Sequence, residues 1–152
     1  VVEGSTERHL SVKCGLDALL GKTEIVAVHD GARPLVTTDA IARCVEMAGS
    51  TGAASLAHRV ADTLKRADGD QRVVESVSRE DLWGMETPQV FRRELLDRAY
   101  DQIIEAGELV TDEVSALQAL GEPVTLVETQ SPNPKITVPA DIALAEAILT
   151  NR

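Results

Sequence analysis

Apolar positions along this chain recur in two rhythms, and their alternation predicts the architecture. Over "SVKCGLDALL" (11–20) Leu16, Leu19 and Leu20 fall at helical spacing, with Thr6 or Ser11 able to cap and Gly21 to stop the helix. "EIVAVH" (24–29) contains a continuous apolar run, as in a strand covered on both faces. "TTDAIARCVEMAG" (37–49) returns to the helical period, with a Thr cap, Ile41, Val45 and Ala48 on one face, and Gly49 at its end. "AASLA" (53–57) is a second short buried strand. Strand, helix, strand is a right-handed crossover unit and implies a parallel sheet.

The rhythm breaks at "HRVADTLKR" and "RVVESVSRE", two partly alternating segments around "ADGD", where Gly69 is free to take positive φ. This predicts a hairpin too poor in apolar residues to form a core, one that lies on the domain or projects to meet another chain. "GMETPQVFRRELLDRAYDQIIEAG" (84–107) reads as a Pro-containing turn, then a helix with Leu95, Leu96, Ala99, Ile103 and Ile104 inward, ended by Gly107. "TDEVSALQALG" (111–121) is a shorter helix capped by Thr111, with Asp112 and Glu113 suited to its positive end. "PVTLVE" is a strand, and "SPNPKITVPADIALAEAILTNR" is a stiff loop leading into a last helix with Pro139 in its first turn. No internal repeat or linker interrupts the pattern. The expectation is one α/β domain over 1–152 with a β-hairpin arm over 59–79.

Composition narrows this picture. Aromatics are only 2%, so the core must be built from Val, Leu, Ile and Ala. A net charge of −10 opposes nucleic acid and anionic membranes as partners. A phosphate ligand then requires the 15 Lys and Arg to be gathered locally. Cys14 and Cys44 are not spaced for a metal and make no disulfide framework, so both are expected reduced. No apolar run approaches the ~20 residues of a membrane span, and no charged-then-apolar leader opens the chain, which reads as cytoplasmic. It starts at Val1 and not Met, in a polar turn-like segment, so its beginning is expected to be missing.

Ligands of open α/β sheets sit at the carboxyl ends of strands, where "HDGARP" falls. Asp30 suits a divalent metal or ribose hydroxyls, Gly31 close backbone approach, and Arg33 a phosphate or a neighbouring carboxylate. A β-to-α turn with Asp as a local cap and Pro34 as a stiffener explains the same residues. "GSTERHLS" is a loop into a helix where amides and Ser11 suit an anion or a base edge, yet it lacks the glycines of a phosphate loop. Lys135 in "NPKIT" is a positioned cation in an acidic half. Arg79 ends an arm strand as surface charge or ligand contact, and Trp83 packs the arm's base. His9, His29 and His58 have no metal-ligand spacing and read as structural or surface residues.

Six segments, "EGSTERHLSVKCGL", "VHDGARPLV", "ADTLK", "SREDLWGMETPQVF", "LVTDEVSAL" and "NPKITVPADIALAE", resemble in order the 2-C-methyl-D-erythritol 4-phosphate cytidylyltransferases of non-mevalonate isoprenoid synthesis. The resemblance implies a doubly wound, mostly parallel, Rossmann-like nucleotidyltransferase sheet. It also implies transfer of a cytidylyl group from CTP with release of diphosphate, Mg²⁺ on the triphosphate, and a homodimer joined through the arm. By the same resemblance Ser5, Thr6, Arg8 and Ser11 attend the cytosine, and Asp30, Gly31 and Arg33 the ribose, phosphates and metal. Lys135 meets phosphates. Thr63, Arg79, Thr87 and Thr111 bind the sugar-alcohol phosphate, Thr63 and Arg79 reaching over from a partner's arm.

Departures from the pattern are informative. The family's glycine-rich loop and Pro-Lys-Gln segment do not occur, so the chain looks like the C-terminal two thirds of the enzyme and incomplete for catalysis. Glu86 stands where Gln is usual, which would bring a negative charge to the acceptor pocket, and Thr6 stands where an acidic residue is common. Ribitol 5-phosphate as acceptor, or a non-catalytic nucleotide-binding or dimerisation fragment, are the alternatives.

Overall fold

The computed structural model describes residues 1–152. Helix α1 (Arg8–Asp17) begins earlier than the leucine spacing predicts and ends before Leu19. Its N-cap, Glu7, makes no side-chain cap, so neither Thr6 nor Ser11 fills that role. β1 (Ile25–Val28) follows as an edge strand with Ala27 exposed and its other residues half-buried, not covered on both faces as its apolar run suggests.

In α2 (Thr38–Thr51) the Thr37 hydroxyl accepts from the Ala40 amide, as a cap should. The inward stripe is Ala40, Cys44 and Ala48, so Ile41 and Val45, expected inside, face outward. Small side chains let this helix lie close to the sheet, a gain that outweighs burying two larger residues. It runs past Gly49 to Gly52, whose φ of 98° suits only glycine.

The largest departure is β5 (Trp83–Arg92). The segment expected as a Pro-containing turn is a ten-residue strand, mostly buried, in the middle of the main sheet. Pro88 has no N–H for a ladder, and it lies in a bulge of β5 itself, where Glu86, Thr87 and Pro88 stand against Leu56 alone of the facing strand, between the pairs Met85–Ala57 and Gln89–Ser55. That facing strand is β2 (Ala53–Arg59), and with β6 (Thr125–Glu128) the order is β1-β5-β2-β6. β1 and β2 both run antiparallel to β5, hence parallel to each other but not adjacent; β2 and β6 form the parallel pair. Three strands thus share one direction, with β5 inserted against it.

Alternation along β2 and β5 feeds two cores. Ala53 and Phe91 face α1, α3 (Arg93–Ala106) and α4 (Glu113–Leu120), meeting Leu16, Leu96, Tyr100, Ile103 and Leu117. Ala54, Leu56 and Val90 face α2, with Val127 of β6. Helices on both faces make this a layered α/β domain. Ile104, expected inward on α3, is 40% exposed, and buried Tyr100 takes its place. α3 ends at Gly107 with φ 66°. α4 is capped by Asp112, whose carboxylate accepts from the Ser115 amide, and not by Thr111. α5 (Ala140–Thr150) starts from Pro139. No helix is long and apolar enough to cross a membrane.

Residues 59–79 contain the expected hairpin, β3 (Leu64–Ala67) and β4 (Val73–Val77), as a separate and largely exposed two-stranded sheet. Its turn takes positive φ at Gln71 (65°), not Gly69, because the Asp68 carboxylate gathers the amides of Asp70 and Arg72. At its base the Arg59 guanidinium lies 4.4 Å from the centre of the Trp83 ring, the packing role expected for that tryptophan.

Candidate functional site

The turn after β1 gathers charge. Around the Asp30 carboxylate stand Lys135 Nζ at 3.1 Å, Arg33 Nε at 3.5 Å and Arg8 Nη2 at 3.8 Å. With Glu113 paired to Arg8, three cations stand against two carboxylates, a local excess of one positive charge on a chain of net −10. Burial opposes ionisation of Asp30, but the Lys135 hydrogen bond and the charges of Lys135, Arg8 and Arg33 outweigh it and hold its carboxyl below the usual range.

Each cation is held differently. Arg33 is the most enclosed, and its guanidinium donates to the carbonyls of Asn133 (2.7 Å) and Met85 (3.4 Å). It braces the 131–136 loop against β5, so the phosphate contact expected of Arg33 is taken up by backbone. Arg8 is anchored by Glu113, whose two oxygens accept from its fork at 2.6 and 2.9 Å. Glu113 is fully buried and also accepts from the Tyr100 hydroxyl at 2.9 Å. Burial, with Glu113 adding to it, pushes the Tyr100 phenol far up, and the Glu113 bond raises Arg8. Lys135, 48% exposed, is the cation most open to a ligand.

Behind the carboxylate, the Asp30 amide donates to Thr87 Oγ1 at 3.0 Å, and His29 Nδ1 lies 2.9 Å from the same hydroxyl. His29 Nε2 reaches the Arg33 carbonyl, which can only accept, so Nε2 carries the proton and the Thr87 hydroxyl donates to Nδ1. Thr87 is 5% exposed and holds the turn from beneath. Gly31 is exposed, and a Cβ there would meet nothing within 4 Å; the space beside it is open.

Ser11 lies inside α1 and folds the preceding loop onto it: its hydroxyl accepts from the Ser5 amide at 2.8 Å and lies within bonding reach of the Ser5 and Glu7 carbonyls. Ser5 and Thr6 are exposed on that loop beside Arg8, and Thr111 is exposed at the mouth of α4. Thr63 and Arg79 are not brought to the cluster. They sit at the hairpin base, where Arg79 donates to the Ala61 carbonyl. Sequence reasoning missed Tyr100, Gln89 and Asn133, and saw in Glu113 a helix-end charge without its Arg8 partner. Gln89 accepts from the amides of Glu113 and Val114, and Asn133 bonds Glu86 and Thr87. Their signal lay only in polar residues set among apolar neighbours.

The donor set does not fit a resident divalent metal. No three His, Cys, Asp or Glu side chains converge anywhere, and the carboxylate expected to hold Mg²⁺, Asp30, is ringed by cations that repel one. What the cluster suits is an anion with several oxygens.

A cluster of cations at a strand's carboxyl end, in a sheet covered on both faces, defines an α/β protein whose charged turn lies where open sheets take their ligands. Comparison narrows the class. The sequence model of IspD, 2-C-methyl-D-erythritol 4-phosphate cytidylyltransferase, matches residues 1–151, and the chain belongs to this family. It is 43% identical over 152 residues to the enzyme of that name from Desulforamulus reducens, covering all of this chain and 65% of the relative. Against the Geobacillus kaustophilus enzyme it is again 43% identical, covering all of this chain and 66% of the relative. The chain thus spans just under two thirds of the length of these curated relatives. The crystal structure of the Thermus thermophilus enzyme superposes with a TM-score of 0.90 at 38% identity, covering 98% of this chain and 72% of that one. The Francisella tularensis structure gives 0.88 at 33% identity, covering 96% and 70%.

Proposed function

We propose that the chain serves transfer of a cytidylyl group from CTP to 2-C-methyl-D-erythritol 4-phosphate. The observation that carries this reading is the Asp30 cluster, an excess of cations assembled at a strand end by a chain that is otherwise strongly acidic. In the reaction an oxygen of the acceptor's phosphate bonds to the α-phosphorus of CTP, and the bond from that phosphorus to the bridging oxygen breaks. Diphosphate leaves with the electron pair. Both reactants are anions, so the protein's task is to position them and to offset the charge that develops.

Lys135, partly exposed, turns toward the incoming phosphates and is held poised by Asp30 until then, while Arg8 stays fixed beside it by Glu113 and adds its field. Arg33, Thr87 and His29 keep the turn rigid. Ser5, Thr6 and Ser11 edge the cytosine subsite, and the open space at Gly31 takes the ribose. Thr111 faces the acceptor. Magnesium enters on the triphosphate and not on Asp30. The hairpin, with Val73 66% and Val74 59% exposed, meets a second copy, to whose pocket it brings Thr63 and Arg79.

The test is diphosphate release from CTP with each of two acceptors, in a chain extended at its N-terminus to the length of its relatives. Release with 2-C-methyl-D-erythritol 4-phosphate, reduced about 100- to 1,000-fold in Lys135→Met, supports the reading. Release only with ribitol 5-phosphate moves the acceptor. CTP binding without release under either acceptor makes this chain a nucleotide-binding module.

A further inference from the structure

We propose that Glu86 is a positioning residue that ties the base of the hairpin to the loop carrying Lys135. It lies on β5, 4% exposed, with each carboxylate oxygen committed to a different segment. Oε1 is 2.9 Å from His58 Nδ1, at the end of β2 where the chain leaves for the hairpin. Oε2 accepts from Asn133 Nδ2 at 2.9 Å, and the same amide donates to the Thr87 carbonyl at 3.0 Å. The Asn133 carbonyl in turn accepts from Arg33, and two residues on Lys135 meets Asp30. One buried carboxylate therefore joins three parts of the chain.

The geometry leaves this contact little freedom. The His58 ring lies so close over Gly84 that a Cβ there would stand 2.5 Å from Cε1 and Nε2. Asn133 is 6% exposed, and its loop lies between Pro132 and Pro134. A buried carboxylate carries a desolvation cost that an apolar side chain of the same size avoids, so its presence needs a reason beyond packing. Direction supplies one: only a side chain with two hydrogen-bonding ends can hold Asn133 and His58 at once. The Lys135 loop is then fixed by the same residue that receives the hairpin's root.

Two variants separate hydrogen bonding from bulk. Glu86→Gln keeps both contacts, since its carbonyl accepts from Asn133 while its amide donates to the other tautomer of His58. Glu86→Leu keeps the volume and removes both. The reporter is hydrogen exchange in the ligand-free chain at the Ile136 amide, which donates to the Ala32 carbonyl at 2.8 Å and closes the Lys135 loop onto the Asp30 turn. In Glu86→Leu exchange at Ile136 rises about tenfold while the β2–β5 ladder amides keep their rates, and in Glu86→Gln it stays within about twofold of the parent. Unchanged Ile136 exchange in Glu86→Leu, or an equal rise across the ladder, overturns the proposal.

The ligand half of this inference rests on the cytidylyltransferase reading. Titration with Mg-CTP, in the same N-terminally extended chain, should show affinity about tenfold weaker in Glu86→Leu and restored in Glu86→Gln. A Glu86→Leu chain that binds Mg-CTP like the parent overturns the positioning role. A parent chain that binds none refutes the cytidylyltransferase reading and leaves the exchange result standing.

Discussion

Replacing Arg8 with methionine keeps an apolar stem but removes the cation from a carboxylate that water cannot reach. Glu113 is fully buried, and without Arg8 its only side-chain partner is the Tyr100 hydroxyl at 2.9 Å. Removing one partner of a buried pair costs about 3–5 kcal/mol. Arg8 is 39% exposed, so part of the pair's field is screened, and the lower end, about 3 kcal/mol, applies. For a chain of this size that is a fall of roughly 6–12 °C in Tm. The damage is specific to the charge left behind, so Glu113→Gln in the Arg8→Met background should restore about 1–2 kcal/mol instead of adding a loss. Urea unfolding at pH 7, followed by helical circular dichroism and by the fluorescence of the single tryptophan, reads both quantities. A loss below about 1 kcal/mol in Arg8→Met, or a double variant no more stable than the single, would refute the account of Glu113 as a buried anchor.

Asp30 makes stability depend on acid. Burial works against its ionisation and the three cations more than compensate, so its folded carboxyl loses its proton more readily than the unfolded one. The unfolded chain then binds more protons across that interval. Asp30's contribution is complete above the ordinary value of 3.8 and is lost as pH falls through the lower folded value. Asp30→Asn should flatten the fall in urea midpoint below about pH 4, and parallel profiles for the two proteins would count against the cluster. Burial pushes the Cys44 thiol up to about 11, so iodoacetamide at about pH 8 should add one group, at Cys14, by intact mass. Two additions at matched rates would contradict the packing of α2.

The elements that showed in the sequence were those whose local pattern and tertiary setting agree. α3 kept its glycine stop at Gly107 and its stripe at Leu96, Ala99 and Ile103, with Tyr100 in place of Ile104. β5 did not show, because "METPQVF" carries a proline and polar residues that belong locally to a turn, and only two flanking strands make it a strand. α2 showed as a helix with the wrong inner face, since the pattern ranks Ile41 and Val45 above Ala40 and Cys44, whereas close approach to the sheet favours the small ones. Of the site, Asp30 and Lys135 were visible as a charged turn and an isolated cation. Glu113 showed only as a helix-end charge and Glu86 only as a departure from a pattern, because what matters about them is the distant residue each one meets.

The arrangement of β5 also bears on how the chain acquires its structure. β1 and β2 are both made early, but neither pairs with the other; each waits for β5, with Ile25 opposite Arg92 and Ala53 opposite Phe91. Among β1 to β4 the only pairing is that of the hairpin strands β3 and β4. Assembly of the main sheet therefore demands closure of long loops, a slow kind of step. Docking of β5 brings Thr87 under the Asp30 amide, whereas Glu113 and Lys135 come from segments that follow β5 in the chain, so the charged turn draws on parts from both sides of that strand.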